Sequence, residues 1–175
     1  MILFVDQSGF YLLSAVVCTY APNRGRTPIL HEQLSRDHLS AMSSITLERK
    51  LLIMEQERSF KVPNVVRFLK HALEQIPGKL LVVWDGSSIH GSKVTKEFLK
   101  SRAASSRLKL EQLPGYAPEL NPDEGIWKHL KYVELKNVCC RSLSELRREL
   151  RKAKERLGHK KHVILGCIRQ PGFVV

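Results

Sequence analysis

Three carboxylates in this 175-residue chain stand where a divalent cation could be held: Asp6, Asp85 and Glu124. Asp6 closes the apolar run Ile2-Leu3-Phe4-Val5, and Asp85 closes Leu80-Leu81-Val82-Val83-Trp84. Continuous apolar runs of this length are the pattern of strands buried on both faces. A carboxylate ending such a strand is costly unless it is paired or binds a cation, and open α/β sheets hold their ligands at the carboxyl ends of strands. Glu124 is delivered by a different device. Pro114, Pro118 and Pro122 fix φ and bias the residues before them away from helix, so Pro114 to Leu120 reads as a stiff arm. Asn121 is a good N-cap and Pro122 suits the first helical position. Asp123 and Glu124 then fall in the first turn, where the helix dipole favours negative charge. Asn121-x-x-Glu124 also reads as a capping box, in which the Glu124 side chain turns back to the Asn121 backbone. Two strand-end aspartates and a rigidly presented glutamate suggest a divalent-metal site, and all-oxygen donors suit Mg²⁺ or Mn²⁺.

The scaffold that would hold these groups is legible in the sequence pattern. Ser8 and Gly9 read as a turn and Phe10 to Thr19 as a β-rich run, giving a first hairpin over about residues 2 to 19. Ala21 to Pro28 is a basic loop carrying Arg24 and Arg26, both candidates for contact with phosphates. His38 to Leu47 alternates weakly and reads as a strand, while Leu47 to Glu57 could pass for a short helix on periodicity alone. Asn64 is placed as the cap of a helix with the apolar stripe Val65, Val66, Phe68, Leu69, Ala72 and Leu73, ended by Pro77-Gly78. Such a helix permits a right-handed crossover that sets the Asp85 strand parallel to the Asp6 strand. Ser92 opens a helix to about Ala103, and Leu108 to Leu113 is a further strand. His90, five residues past Asp85, is a candidate base, orienting group or phosphate contact. The helix from Pro122 is expected to bury Ile126, Trp127, Leu130 and Val133, with Trp127 read as core and Lys128, His129 and Lys131 nearer solvent. Ser142 to Glu145 is a capping box for a last helix with the seam Leu146, Leu150, Ala153 and Leu157. Its other face carries Arg147, Arg148, Arg151, Lys152, Lys154 and Arg156. Gly158 suits the residue after a helix, and Gly166 to Val175 reads as a tail with little to dock it.

Composition narrows the classes. A net charge of +12 and a pI near 9.8 argue for a polyanionic partner rather than a neutral metabolite. The four cysteines lack C-x-x-C spacing, so a zinc ribbon or a disulfide framework is not indicated, and His159 and His162 lack a matching ligand pair. The N-terminal apolar stretch has no basic start and is broken at Asp6, so export is not expected, and no run has the length of a membrane span. One compact α/β unit over residues 1–175 fits the length, and a cytoplasmic, nucleoid-associated location fits the charge.

Phe4-Val5-Asp6-Gln7-Ser8-Gly9-Phe10, Leu81-Val82-Val83-Trp84-Asp85-Gly86-Ser87-Ser88-Ile89-His90 and Pro114 through Trp127 resemble, in order, the three signature blocks of the DDE transposases. The resemblance is to bacterial insertion-sequence enzymes of the mariner superfamily. It implies a ribonuclease H-like fold, a central mixed sheet with flanking helices, as in retroviral integrases, and a further extended segment rather than a helix over Leu47 to Glu57. It implies Asp6, Asp85 and Glu124 as a catalytic triad on two Mg²⁺ or Mn²⁺ ions, with Asp6 bridging both. DNA, as transposon ends and as target, is the implied partner, and the implied reaction is strand cleavage and transfer. Arg24, Arg26, His90, Lys128, Arg147, Arg151 and Lys154 are the candidate DNA contacts. Gln7 stands where the family often has Glu. The family's helical DNA-binding domains precede the first catalytic strand, whereas here that strand starts the sequence, so the chain is expected to be the catalytic part. A homodimer and a separate DNA-binding segment are compatible with this reading. Two alternatives stay open: a nuclease that only hydrolyses, and a noncatalytic nucleic-acid-binding relative of a transposase.

Overall fold

The structure, a computed structural model, describes residues 1–12, 35–85, 92–115 and 117–174, and the side chains of all of these except 102 and 103. One mixed five-stranded sheet runs in the order β3-β2-β1-β4-β5, from β1 (Ile2–Tyr11), β2 (His38–Thr46), β3 (Leu51–Gln56), β4 (Leu80–Trp84) and β5 (Leu108–Gln112). β1 is antiparallel to β2 and parallel to β4, and β4 is parallel to β5. The parallel pairings follow from the helices between the strands: α1 (Val62–Gln75) before β4, and α2 (Lys93–Lys100) with the short α3 (Arg102–Ser105) before β5. After β5 come α4 (Pro122–His129), a π-helical turn (Leu130–Glu134), α5 (Leu143–His159) and α6 (Lys161–Arg169).

Alternation along β1 builds two cores. Leu3 and Val5 pack with Met42, Phe68, Leu69 and Ile76 under α1 and α2. Phe4 and Phe10 pack with Ala41, Ile45, Trp127, Leu150 and Ile164 under α4, α5 and α6. The sheet is therefore covered on both faces, as its apolar runs require.

Several expectations change. Ser8 and Gly9 make no turn: they pair with Ala41 and Ser40 in a ladder that carries β1 on to Tyr11. The long partner strand supplies hydrogen bonds through the Ser-Gly pair, so the ladder overrides a local turn signal. Asp6 consequently sits inside β1 rather than at its end, and the rest of the expected hairpin lies outside the described residues, as do Arg24, Arg26 and His90. Leu51–Gln56 is a strand, the extended segment that the family resemblance implies rather than the short helix its periodicity allows. Lys61, not Asn64, caps α1; Asn64 is at the third helical position, where its Oδ1 accepts from the Lys61 N–H at 2.9 Å. α2 stops at Lys100, before the expected Ala103. The expected tail is instead helical, with Cys167 and Ile168 buried, and beyond it Phe173 lies 4.9 Å from Phe4 between ring centroids. A Cβ on Gly125 would come within 2.9 Å of Cys167 Sγ, so glycine is what lets α6 approach α4. Gly158 stays inside α5, which runs to His159.

A π turn changes which residues beyond α4 face the core. An i→i+5 turn inserts one extra residue, rotating the residues beyond it relative to an α-helix. Val133, expected in the core, is 50% exposed, whereas Lys131 and Glu134 turn inward. His129 is mostly buried rather than solvent-facing, and its Nε2 lies 3.2 Å from Glu134 Oε1, five residues on. Arg156 Nε and Lys160 Nζ each donate to the same carboxylate at 2.6 Å. Burial raises the Glu134 pKa, but hydrogen bonds from Lys160, Arg156 and His129 outweigh it and hold the pKa at about 2. With the folded value below the unfolded one, this stabilisation is complete above about pH 4.5 and is lost as pH falls toward 2. Glu134→Gln is expected to cost about 2–3 kcal/mol in urea unfolding at pH 7, the worth of hydrogen bonds to a charged group, and much less at pH 3. An equal cost at both pH values would show that the carboxylate's charge is not what binds α5 to the turn after α4.

Candidate active site

β4 pairs with β1 only as far as Trp84 opposite Val5, so Asp85 leaves the sheet beside Asp6 while β1 continues. After β5, the Leu113 N–H donates to Trp84 O at 2.8 Å, which starts the proline arm next to Asp85. The arm, expected to hold one extended path without regular structure, instead closes with a 3₁₀ turn over Pro118–Leu120, since proline at the first position of such a turn costs no hydrogen bond. It ends at Asn121, whose side chain makes two bonds. Its Nδ2 donates to Val5 O at 3.4 Å, tying the arm to the residue before Asp6, and its Oδ1 accepts the Asp123 N–H at 3.2 Å, capping α4. Glu124 is thereby aimed at the same place. Asp6, Asp85 and Glu124 line one pocket of about 220 Å³, walled by the arm from Leu113 to Pro118.

The capping-box alternative for Glu124 fails on the backbone accounting. The Asn121 N–H already donates to Pro118 O at 3.0 Å, so it has no proton left for a carboxylate reaching back. Glu124 does not hold the helix start and is available for the pocket.

Asp6 is 8% exposed and accepts from Trp127 Nε1 at 3.0 Å. Burial pushes its carboxyl up to about 7; the hydrogen bond with the Gln7 backbone, next in size, lowers it, the fields of Glu124 and Asp85 raise it further, and the Trp127 hydrogen bond lowers it least. A carboxylate in this position is costly until a cation joins it. Among the described residues, no three acidic, histidine or cysteine side chains already stand close enough to share one ion. The three carboxylates line the pocket without yet converging on one point, and their all-oxygen donor set fits a hard divalent cation.

Trp127 is core, as expected, but its indole N–H also orients Asp6, a function that an apolar stripe does not reveal. Lys131 forms a second rung between α4 and β1, donating to Ser8 Oγ at 2.7 Å with its Nζ 5.6 Å from the centre of the Phe10 ring. Burial lowers its pKa, while Glu124 and Asp6 hold it up. The α-helical period of the sequence does not mark it, because Lys131 lies in the π turn that brings it inward. Asp123 is fully buried and its two oxygens have no hydrogen-bond partner; Ser43 Oγ, also unpartnered, lies near enough only to ease its charge slightly. Burial first, then Asp6, raises the Asp123 carboxyl well above the usual range.

The basic candidates separate. Lys128 is exposed and lines a second pocket, of about 260 Å³, that shares Glu124, Asn121 and Pro118 with the first. Arg147 Nη2 lies 3.0 Å from Glu57, and Lys154 is paired with Glu55, so both cations are engaged along the β3 edge, two strands away from Asp6. Arg151 is exposed on α5. No helix among the described residues is long and apolar enough to cross a membrane.

Residues 1–147 match the profile of a family described as DDE superfamily endonuclease. No curated protein matches the sequence. Among solved structures, the mariner Mos1 paired end complex with Mg is similar at a TM-score of 0.71 and 12% identity, over 97% of this chain and 52% of that one. The Mos1 strand transfer complex is similar at 0.70 and 11%, over 97% and 51%. The catalytic domain of Mos1 mariner transposase alone is similar at 0.54 and 12%, over 99% and 83%. At these identities the likeness is one of fold, and the fold is the expected ribonuclease H-like one. The chain spans about half the length of the chains in the two complexes.

Proposed function

Because the chain belongs to the DDE superfamily endonuclease family, we propose that it is a transposase catalytic domain that cuts DNA and transfers strands, with Asp6, Asp85 and Glu124 holding two Mg²⁺ or Mn²⁺ ions. The observation that carries this reading is the meeting of the three carboxylates in one pocket, from a strand interior, a strand end and a helix start. Bound there, the ions would activate the attacking oxygen and stabilise the leaving one in an in-line displacement of phosphate. The chain's own residues do the rest. Trp127 fixes the Asp6 carboxylate, and Asn121 fixes the arm that sets Glu124. Lys128 offers a charge to DNA phosphate at the mouth of the pocket.

In this reading the chain is a single catalytic domain, its partner is DNA, as transposon ends and target, and recognition of those ends belongs to a further DNA-binding segment. Hydrolysis without joining is the rival outcome. In a supercoiled-plasmid assay the chain should nick with Mg²⁺ or Mn²⁺ and not in EDTA, and Asp85→Asn should abolish nicking. An oligonucleotide with a free 3′-OH should become joined to the plasmid. Nicking without joining would reduce the assignment to a nuclease, and metal-independent nicking would remove it.

A further inference from the structure

Among the described residues, five of the six basic residues along α5 from Arg147 to Arg156 are in ion pairs, Arg151 being the exception: Arg147 pairs with Glu57, Lys154 with Glu55 and Arg156 with Glu134. Arg148 pairs with Glu145 and Glu149, and Lys152 with Glu149, so this helix spends its charge inside the molecule. The net charge of +12 must therefore be presented elsewhere.

The opposite face of the sheet carries uncompensated charge. α2 buries Thr95 and half-buries Phe98 and Leu99, leaving Lys93, Lys96 and Lys100 exposed with one acid, Glu97, among them. Among the described residues none of the three lysines is in an ion pair. On α1, which packs against α2, Arg67 and Lys70 are exposed, and Lys70 Nζ lies 5.9 Å from the centre of the Phe98 ring, which sets it beside the α2 stripe. α2 begins just past the Asp85 strand, so Lys93 lies toward the pocket edge and Lys100 lies about 10 Å further down the flank. That span matches about three phosphates of one strand at the axial spacing of duplex DNA.

We infer that the outer face of α1 and α2, through Lys93, Lys96, Lys100, Lys70 and Arg67, is a surface for the backbone of duplex DNA continuing away from the pocket. Its ligand is the phosphate backbone, without base preference, since lysines on an exposed helix face contact phosphates as point charges. The inference rests on the proposed DNA-cutting function, but its test does not depend on catalysis. Binding of the full chain to a fluorescent 30-base-pair duplex is measured in EDTA across a salt series. Lys93→Gln/Lys96→Gln/Lys100→Gln should reduce the slope of log affinity against log salt by about 2 to 3, at about 0.9 per phosphate contact. Arg147→Gln/Arg148→Gln/Lys152→Gln on α5 should leave the slope near that of the wild type. An unchanged slope in the α2 variant, an equal fall in the α5 variant, or binding to anionic lipid vesicles but not to DNA would each overturn the surface. Metal-dependent nicking is scored on the same proteins. A wild type that nicks while the α2 variant keeps the full slope sinks the surface alone. A wild type that binds through α2 but never nicks sinks the catalytic assignment alone.

Discussion

Glu124→Gln is expected to abolish metal-dependent nicking, by about 10³-fold or more, while leaving the metal-free fold at least as stable as the wild type. The activity loss follows from removing one of the three proposed charged ligands, and 10³-fold corresponds to only about 4 kcal/mol of transition-state stabilisation. The stability result follows from the backbone. Asn121 caps α4 with its own side chain and its N–H is spent on Pro118 O, so the Glu124 carboxylate holds no helix start that glutamine would loosen. Removing one charge also lessens the field that Glu124 exerts on Asp6. The rise in melting temperature that Mg²⁺ gives the wild type, by binding the native state alone, should be blunted in the variant. Retention of both nicking and the full metal-induced rise would show that Glu124 is not a ligand and that the triad is misassigned.

Asp123→Asn is expected to have the largest effect on stability, in the stabilising direction. The wild-type carboxyl is fully buried without a hydrogen bond, beside Asp6, so at neutral pH it must keep its proton or bear an unpaired buried charge. Its folded pKa lies well above the unfolded value of 3.8, so the native state binds more protons than the unfolded state across the window between the two. Wild-type stability therefore falls as pH rises through that window, whereas asparagine has no proton to lose. Asparagine keeps the shape and can donate to the unpartnered Ser43 hydroxyl. The gain should be about 2 kcal/mol at pH 7, or roughly 4–8 °C in melting temperature for a chain of this size, and should vanish near pH 4. A variant less stable than wild type at pH 7 would mean that the carboxylate has a partner that outweighs its burial.

Asp6 carries the same linkage in milder form. Its carboxyl, at about 7 in the metal-free protein, makes cation binding release protons below neutral pH, so the metal-induced rise in melting temperature should shrink as pH falls from 7 toward 5.

Much of the fold is legible in the sequence because its signals are local. The run into Asp85 is a strand ending there, Asn121 caps a helix beginning at Pro122, and Ser142 caps α5, accepting the Glu145 N–H at 3.2 Å. Asp85 and Glu124 are marked by a strand end and a helix start, patterns that need no knowledge of neighbours, whereas the apolar run before Asp6 marks the residue but not its place, which is inside β1. Other features depend on pairing at a distance. Ser8-Gly9 is a turn by local chemistry and a strand once β2 supplies a ladder. Val133 is core by α-helical period and surface once a π turn shifts the register, with Glu134 held by residues more than twenty positions away. The basic face of α5 reads as a nucleic-acid surface until Glu55 and Glu57 of a remote strand edge are set against it. Net charge is additive along a chain and can be counted from its residues; which charges remain uncompensated depends on which carboxylates the fold brings within a few ångströms of them, and that is a property of the tertiary structure alone.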